Sequence, residues 1–164
     1  MVSKKKLLLD QLANTHNEPG WFPTLHEALD SLSSTQATWR SNENSHSIWE
    51  IVNHLIYWND VYLNRYKKSA SQRGALQNEL TFTQPEVEKS EENWLKVTTQ
   101  VDQIFDDWRK AVYESSESDL DSLVSEEQDG LWWNAISNLC LHNSYHIGQI
   151  VAIRKQQNAW INKY

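Results

Sequence analysis

Apolar residues recur along this chain at spacings of three and four, the period of amphipathic helices, and strict alternation is nearly absent. Residues about 3–15 form a short amphipathic start that Pro19-Gly20 breaks. Thr24-Leu25-His26-Glu27 has the form of a capping box, in which the Thr hydroxyl and the Glu carboxylate each satisfy a free backbone N–H. It opens a brief helix through Leu32. Ser47-Ile48-Trp49-Glu50 repeats the pattern and opens a strong helix to about Lys68, striped by Ile48, Ile51, Leu55, Trp58 and Tyr62. A polar stretch with Gly74 follows, and Gln84-Pro85 starts a third helix whose stripe is Val87, Trp94, Val97, Val101, Ile104, Trp108 and Ala111. Beyond a second acidic loop, Asp129-Gly130 leads into a last helix through about Gln156. Arg154 and Lys155 lie near its C-terminal end, where the helix dipole favours cations. Thr81-Phe82-Thr83 is the one short candidate for extended chain. The pattern predicts an all-α protein: an antiparallel-type four-helix bundle with an extra short N-terminal helix and one or two longer crossovers. Residues 1–164 form one domain.

Composition narrows the function classes. The 164 residues are long enough to bury a sizeable core, and the formal net charge of −7 disfavours a nucleic-acid footprint. Lys4-Lys5-Lys6 is read as a solvated end, and Leu7-Leu8-Leu9 is too short for a signal peptide. No run approaches the roughly 20 apolar residues of a membrane span. The single cysteine, Cys140, allows no intramolecular disulfide, and a cytoplasmic location is the default expectation. Nine Trp residues must serve a core or line a pocket.

Candidate chemistry sits in the last helix. Its inner seam reads Trp132, Ala135, Leu139, His142, His146, Gln149, Ile153: apolar at both ends and polar at three successive middle positions. His142 and His146, one turn apart, can reach one ion at about 2.0–2.1 Å. Buried without a metal, each ring has a donor and an acceptor to satisfy, at about 1–3 kcal/mol per unsatisfied atom. His54 adds a third imidazole to an apolar face of the second helix, beside Ile51 and Trp58. Three histidines without an obvious fourth protein ligand describe an open site, the catalytic pattern. Gln149 and Glu50 are candidates to orient the ligand rings, with Asn53, Asn138 and Asn143 also close in sequence. Trp58 and Trp132 are candidate pocket walls, and Arg65 continues the His54 face toward an anionic substrate. His16, His26 and His46 read as solvated, and Cys140 as a small buried hydrophobe beside the seam.

Ser47-Ile48-Trp49-Glu50-Ile51-Val52-Asn53-His54-Leu55 with Trp58, and His142-Asn143-Ser144-Tyr145-His146-Ile147-Gly148-Gln149-Ile150, resemble the DinB/YfiT-like metalloenzyme family. Trp21 to Leu29 and Gln36 to Arg40 are also similar to that family; residues 69–130 match only in helical character. The resemblance implies an up-down-down-up four-helix bundle, often a homodimer, with His54, His142 and His146 at the metal-ligand positions. It also implies zinc or nickel, and in some relatives thiol S-transfer or isomerisation with bacillithiol, mycothiol or a similar low-molecular-weight thiol. The expected function is therefore a metal-dependent enzyme acting on a small molecule, with no nucleic-acid or membrane partner. The alternatives are a metal-dependent hydrolase and a non-catalytic, metal-stabilised stress-response or binding module.

Overall fold

The computed structural model describes residues 3–69, 76–83, 89–125 and 128–161, with the side chains of 128 and 129 left aside. Four long helices carry the fold: α1 (Lys4–His16), α4 (Ile48–Tyr66), α5 (Glu91–Glu114) and α7 (Trp132–Gln156). The short helices α2 (Leu25–Leu29) and α3 (Ser34–Thr38) cover the bundle between α1 and α4 in sequence. A 3-10 turn, Asn78–Phe82, lies in the α4–α5 crossover, and α6 (Glu117–Leu120) precedes a small antiparallel hairpin of β1 (Leu123–Ser125) and β2 (Gln128–Leu131). The all-helical expectation holds, with this hairpin as an addition.

Local chemistry explains the boundaries. Capping boxes start α2 at Thr24 with Glu27 and α4 at Ser47 with Glu50, as their sequences predict. Ser33 with Gln36 and Ser116 with Asp119 build two more. The helix α5 begins at Glu91 behind a Ser90 cap; the predicted start at Gln84-Pro85, the stripe position Val87 and Gly74 fall outside the described residues. Thr81 and Phe82 are in the 3-10 turn rather than extended, because Thr81 and Thr83 hydroxyls each donate to the carbonyl three residues back.

Residue pairs fix the directions of the helices. Trp49 packs on Trp94, the Trp108 indole N–H donates to the Asn59 carbonyl at 3.1 Å, and Tyr66 bonds Ser115, so α4 and α5 run parallel. Tyr66 meets Trp132, Asn59 meets Asn143 and His54 meets His146, so α4 and α7 run antiparallel. Lys5 bonds the Ser115 carbonyl while His16 reaches Asp102, so α1 and α5 are antiparallel. The order is up-down-down-up, with α1 and α4 diagonally across the bundle from one another and each touching both α5 and α7.

Trp108, Phe105, Leu12, Leu55, Ile136 and Ile147 fill the core. On α7 the buried face runs through Trp132, Ile136, Leu139, Cys140, Asn143, Ile147 and Ile150. That phase is rotated from the predicted seam: Ala135, His142, Gln149 and Ile153 are only half-buried. The rotation has a polar cause as well as an apolar one. Asn143 and Asn59, both fully buried, exchange two amide hydrogen bonds at 2.9 and 3.1 Å, and Asn59 also donates to the Leu55 carbonyl. This pair satisfies itself and locks the α4–α7 register.

Replacing one partner strands the other. Asn143→Leu is expected to cost about 1–3 kcal/mol, because the Asn59 amide is left buried without its reciprocal partner. Urea denaturation reads this, and an unchanged midpoint would show that the pair carries no register.

Candidate metal centre

His54 sits two turns into α4, and His142 and His146 sit one turn apart in the middle of α7. The antiparallel contact of the two helices brings them together, and the 3-10 turn covers them. His54 Nε2 lies 2.9 Å from His142 Nε2, and His146 Nε2 lies 3.1 Å from the same atom. His54 and His146 are 2% and 5% exposed; His142 is half-buried.

The outer ring nitrogens settle the tautomers. The Thr81 hydroxyl donates to the Asn78 carbonyl at 2.6 Å, so its oxygen accepts from His54 Nδ1–H at 2.5 Å. The Gln149 side-chain oxygen accepts from His146 Nδ1–H at 2.7 Å, and its amide donates to the Tyr145 hydroxyl at 3.0 Å. Both rings therefore carry their proton on Nδ1 and aim a bare Nε2 lone pair at His142. A single proton on His142 Nε2 can serve only one of them. His142 Nδ1 is buried with no hydrogen-bond partner among the described residues. This donor set fits one divalent cation: the ligand atoms lie within 4.8 Å of one another, and neutral imidazoles are good ligands for zinc, nickel and copper.

A proton is a poor substitute for that cation. Burial, reinforced by the His146 and His142 rings, pushes His54 down to about 3. Burial with the neighbouring His142 takes His146 down to about 4, and burial lowers His142 as well. All three rings are neutral at pH 7, ready to coordinate without releasing protons.

Aromatic rings support the cluster. Phe82 stacks on His54 at 3.9 Å between ring centroids, and His46 stacks on the other side of Phe82 at 4.0 Å. His46 is exposed, as the sequence suggests, but it caps this stack. His142 opens onto a cavity of about 420 Å³ bounded by Trp58 and Tyr62 of α4, Asn134, Ala135, Asn138 and Leu139 of α7, Asn78, and Val124 and Gly130 of the hairpin.

The remaining sequence candidates divide. Trp58 lines the cavity, donating its indole N–H to Asn78 at 3.3 Å. Gln149 contacts His146 directly. Glu50 does not reach His54: its carboxylate accepts from the Ser47 amide at 2.8 Å and pairs with Arg40, so its capping role uses it up. Trp132 is buried against Tyr66, away from the cavity, because α7 is turned so that Ala135 rather than Trp132 borders the opening. Arg65 is exposed with its guanidinium 5.3 Å from the Tyr62 ring centre. Asn53 donates to the Thr83 carbonyl, Asn138 to Asn134, and Asn143 belongs to the core pair. His16 is not solvated: it ends α1 at 2% exposure, with Nε2 3.2 Å from Asp102 and Nδ1 3.6 Å from Asp106. Cys140 is buried, and burial pushes its thiol up to about 12, so it is an inert hydrophobe here.

Nothing in the sequence connects Thr81, Asn78 or the hairpin with the histidines. The only signal for Thr81 is a Thr-Phe-Thr triplet in a polar segment; nothing in its spacing ties it to a histidine 27 residues earlier.

These features define an up-down-down-up helical bundle with a three-histidine cluster open to a cavity on one side. The family profile of the DinB superfamily matches residues 22–150, most of the chain, and the protein belongs to that superfamily. Comparison with curated proteins and with solved structures gives no match. Among the described residues no helix is long and apolar enough to cross a membrane.

The depressed histidines make a signed prediction for the metal-free protein. In the unfolded chain these rings take protons near pH 6.5, whereas the folded state resists until about 4 for His146 and about 3 for His54. Between those values the unfolded state binds more protons, so stability falls as pH falls from about 6.5 toward 4. Urea midpoints measured across that range should drop more steeply in the wild type than in a His54→Leu/His146→Leu variant. Equal slopes would mean that the rings titrate normally when folded.

Proposed function

We propose that the protein is a metal-dependent enzyme, a thiol S-transferase that holds zinc or nickel on His54, His142 and His146 and uses a low-molecular-weight thiol. The observation that carries this reading is the convergence of three Nε2 atoms beside a cavity onto which the half-buried His142 opens. A structural metal site has its four positions filled by protein, whereas three ligands beside a cavity leave room for a reacting molecule.

When bound, the ion lowers the pKa of a water or thiol and polarises an electrophile. The chain's own residues do the rest. Thr81 and Gln149 fix two imidazoles by their Nδ1 protons and so aim the Nε2 atoms inward. Phe82 shields His54 from water on one face. Trp58 and Tyr62 wall the cavity with apolar surface, which excludes bulk solvent and strengthens electrostatic interactions inside. Among the described residues no carboxylate or lysine lines the cavity, so the thiol proton leaves to water at its mouth. The sulfur then forms a bond to an electrophilic carbon, and the leaving group departs with the electrons of the broken bond.

The same site would run hydrolysis with water as the nucleophile, and the amide-rich wall of Asn78, Asn134 and Asn138 suits that second reading. A non-catalytic module has less in its favour, since it has no use for a cavity beside the histidines. A homodimer and a cytoplasmic location complete the proposal; exposed Leu141 and Tyr145 on α7 offer an apolar face to a second copy.

Elemental analysis of protein purified without a His tag should find about one divalent ion per chain, lost in a His54→Ala/His142→Ala/His146→Ala variant. Zinc- and nickel-loaded protein should then turn over thiol cosubstrates with electrophiles in a metal-dependent manner. Absence of metal in the wild type after incubation with both ions would sink the reading.

Thr81→Val tests the support of the ligand. Removing the acceptor of His54 Nδ1–H should weaken zinc binding by about 10–100-fold while leaving the helical signal intact. Unaltered affinity in a competition titration would mean that Thr81 does not orient the ring.

A further inference from the structure

The wall chemistry of the cavity says more about what enters it than the histidines do, and the step taken here rests on reading that cavity as the substrate site. From His142 the wall follows α7 back to Asn134, eight residues that cover about 12 Å of helix. Trp58 and Tyr62, one turn apart on the antiparallel α4, face part of that length. Val124 and Gly130 of the hairpin border it too, and on α7 the lining ends at His142.

Among the side chains described, which leave aside those of 126–129 at the hairpin tip, no Asp, Glu, Lys or Arg lines this space. Apart from the His142 ring, the Tyr62 hydroxyl and the Trp58 indole N–H, its polar side chains are three amides, and their internal bonds leave a definite remainder. Asn78 uses its side-chain oxygen on the Trp58 indole N–H, which leaves its two amide hydrogens. Asn138 donates to the Asn134 oxygen at 3.2 Å, which leaves the Asn138 oxygen as an acceptor and the Asn134 N–H groups as donors. Among the described side chains, donors and an acceptor thus flank a pair of aromatic rings with no formal charge.

A carboxylate lying along this wall would lose water and gain no cation from the described side chains, in a chain whose net charge is already −7. The Arg65 guanidinium, 5.3 Å from the Tyr62 ring, is exposed and outside the lining. An amide or hydroxyl would meet both donors and an acceptor, and a flat ring would find the Trp58 and Tyr62 surfaces. We propose that the cavity selects an uncharged ligand carrying amide or hydroxyl groups and a flat ring, lying along the α4–α7 groove with its reactive end at His142. Asn78, Asn134 and Asn138 are then specificity-determining residues, and charge is tolerated only at the histidine end.

The matched probes are 4-(mercaptomethyl)benzamide and 4-(mercaptomethyl)benzoate, which share a thiol for the histidine end and a ring, and differ only in the far group. Each is titrated into the zinc-treated full-length chain by NMR, following the Trp58 indole N–H and the three side-chain amides. The amide probe should bind about tenfold more tightly, the cost of placing an unpaired carboxylate against the neutral wall. Asn138→Lys, an exposed position where folding is not at stake, should swing the ratio by about tenfold or more toward the benzoate. Equal binding, a preference for benzoate in the wild type, or a ratio unmoved by Asn138→Lys would overturn the proposal. Zinc content measured on the same samples reads the metal site separately. A chain that retains no zinc sinks the metal reading, while the same titration on it still decides what the wall selects.

Discussion

Two imidazoles whose Nδ1 protons are committed outward, to Thr81 and to Gln149, have nowhere to turn their Nε2 lone pairs except toward a third imidazole. The centre of this bundle is organised around that constraint. It requires α4 and α7 to hold a fixed register, and the buried Asn59–Asn143 pair supplies it a short way along the same contact. It requires a cover that can accept a proton from His54, and the 3-10 turn supplies Thr81 and stacks Phe82 on the ring. Slippage of α4 against α7 by one residue would break the Asn59–Asn143 pair and part His54 from His142 together, so the register of the fold and the geometry of the site are one property.

The electrostatics follow from the same burial. Rings that resist protonation down to about 3 or 4 cannot relieve their mutual crowding by taking up a proton at neutral pH. A cation that brings its own charge and forms directional bonds to nitrogen relieves it instead. The contrast with His16 is instructive. It is equally buried, but its ring nitrogens face the carboxylates of Asp102 and Asp106 rather than other imidazoles, so it ties α1 to α5.

Much of this was legible in the sequence because helices repeat. The capping boxes at Thr24 and Ser47, the four long segments and the i, i+4 pair of His142 and His146 all follow from local spacing. His54 stood out as polar on an apolar face. The phase of α7 was harder, since Trp132 is shared by both possible seams and buried Asn143 disguised the core face as a polar one. Thr81 and the β1–β2 hairpin were hidden for a different reason: they lie in segments without periodicity, and what they touch depends on how distant helices pack. His16 reads as a loop residue until α5, some 86 positions later, brings its carboxylates alongside.

The parallel run of α4 and α5 obliges the chain to travel back along the bundle between them, a return of about 28 Å for a 19-residue helix. That return is not idle, since it passes the histidines and lays its 3-10 turn over them. A stretch of chain compelled by topology alone therefore becomes the roof of the three-histidine cluster. That roof meets α4 through Asn78, Thr81, Phe82 and the Thr83 carbonyl, so its remaining positions are where the surroundings of the histidines can change while the four long helices stay as they are.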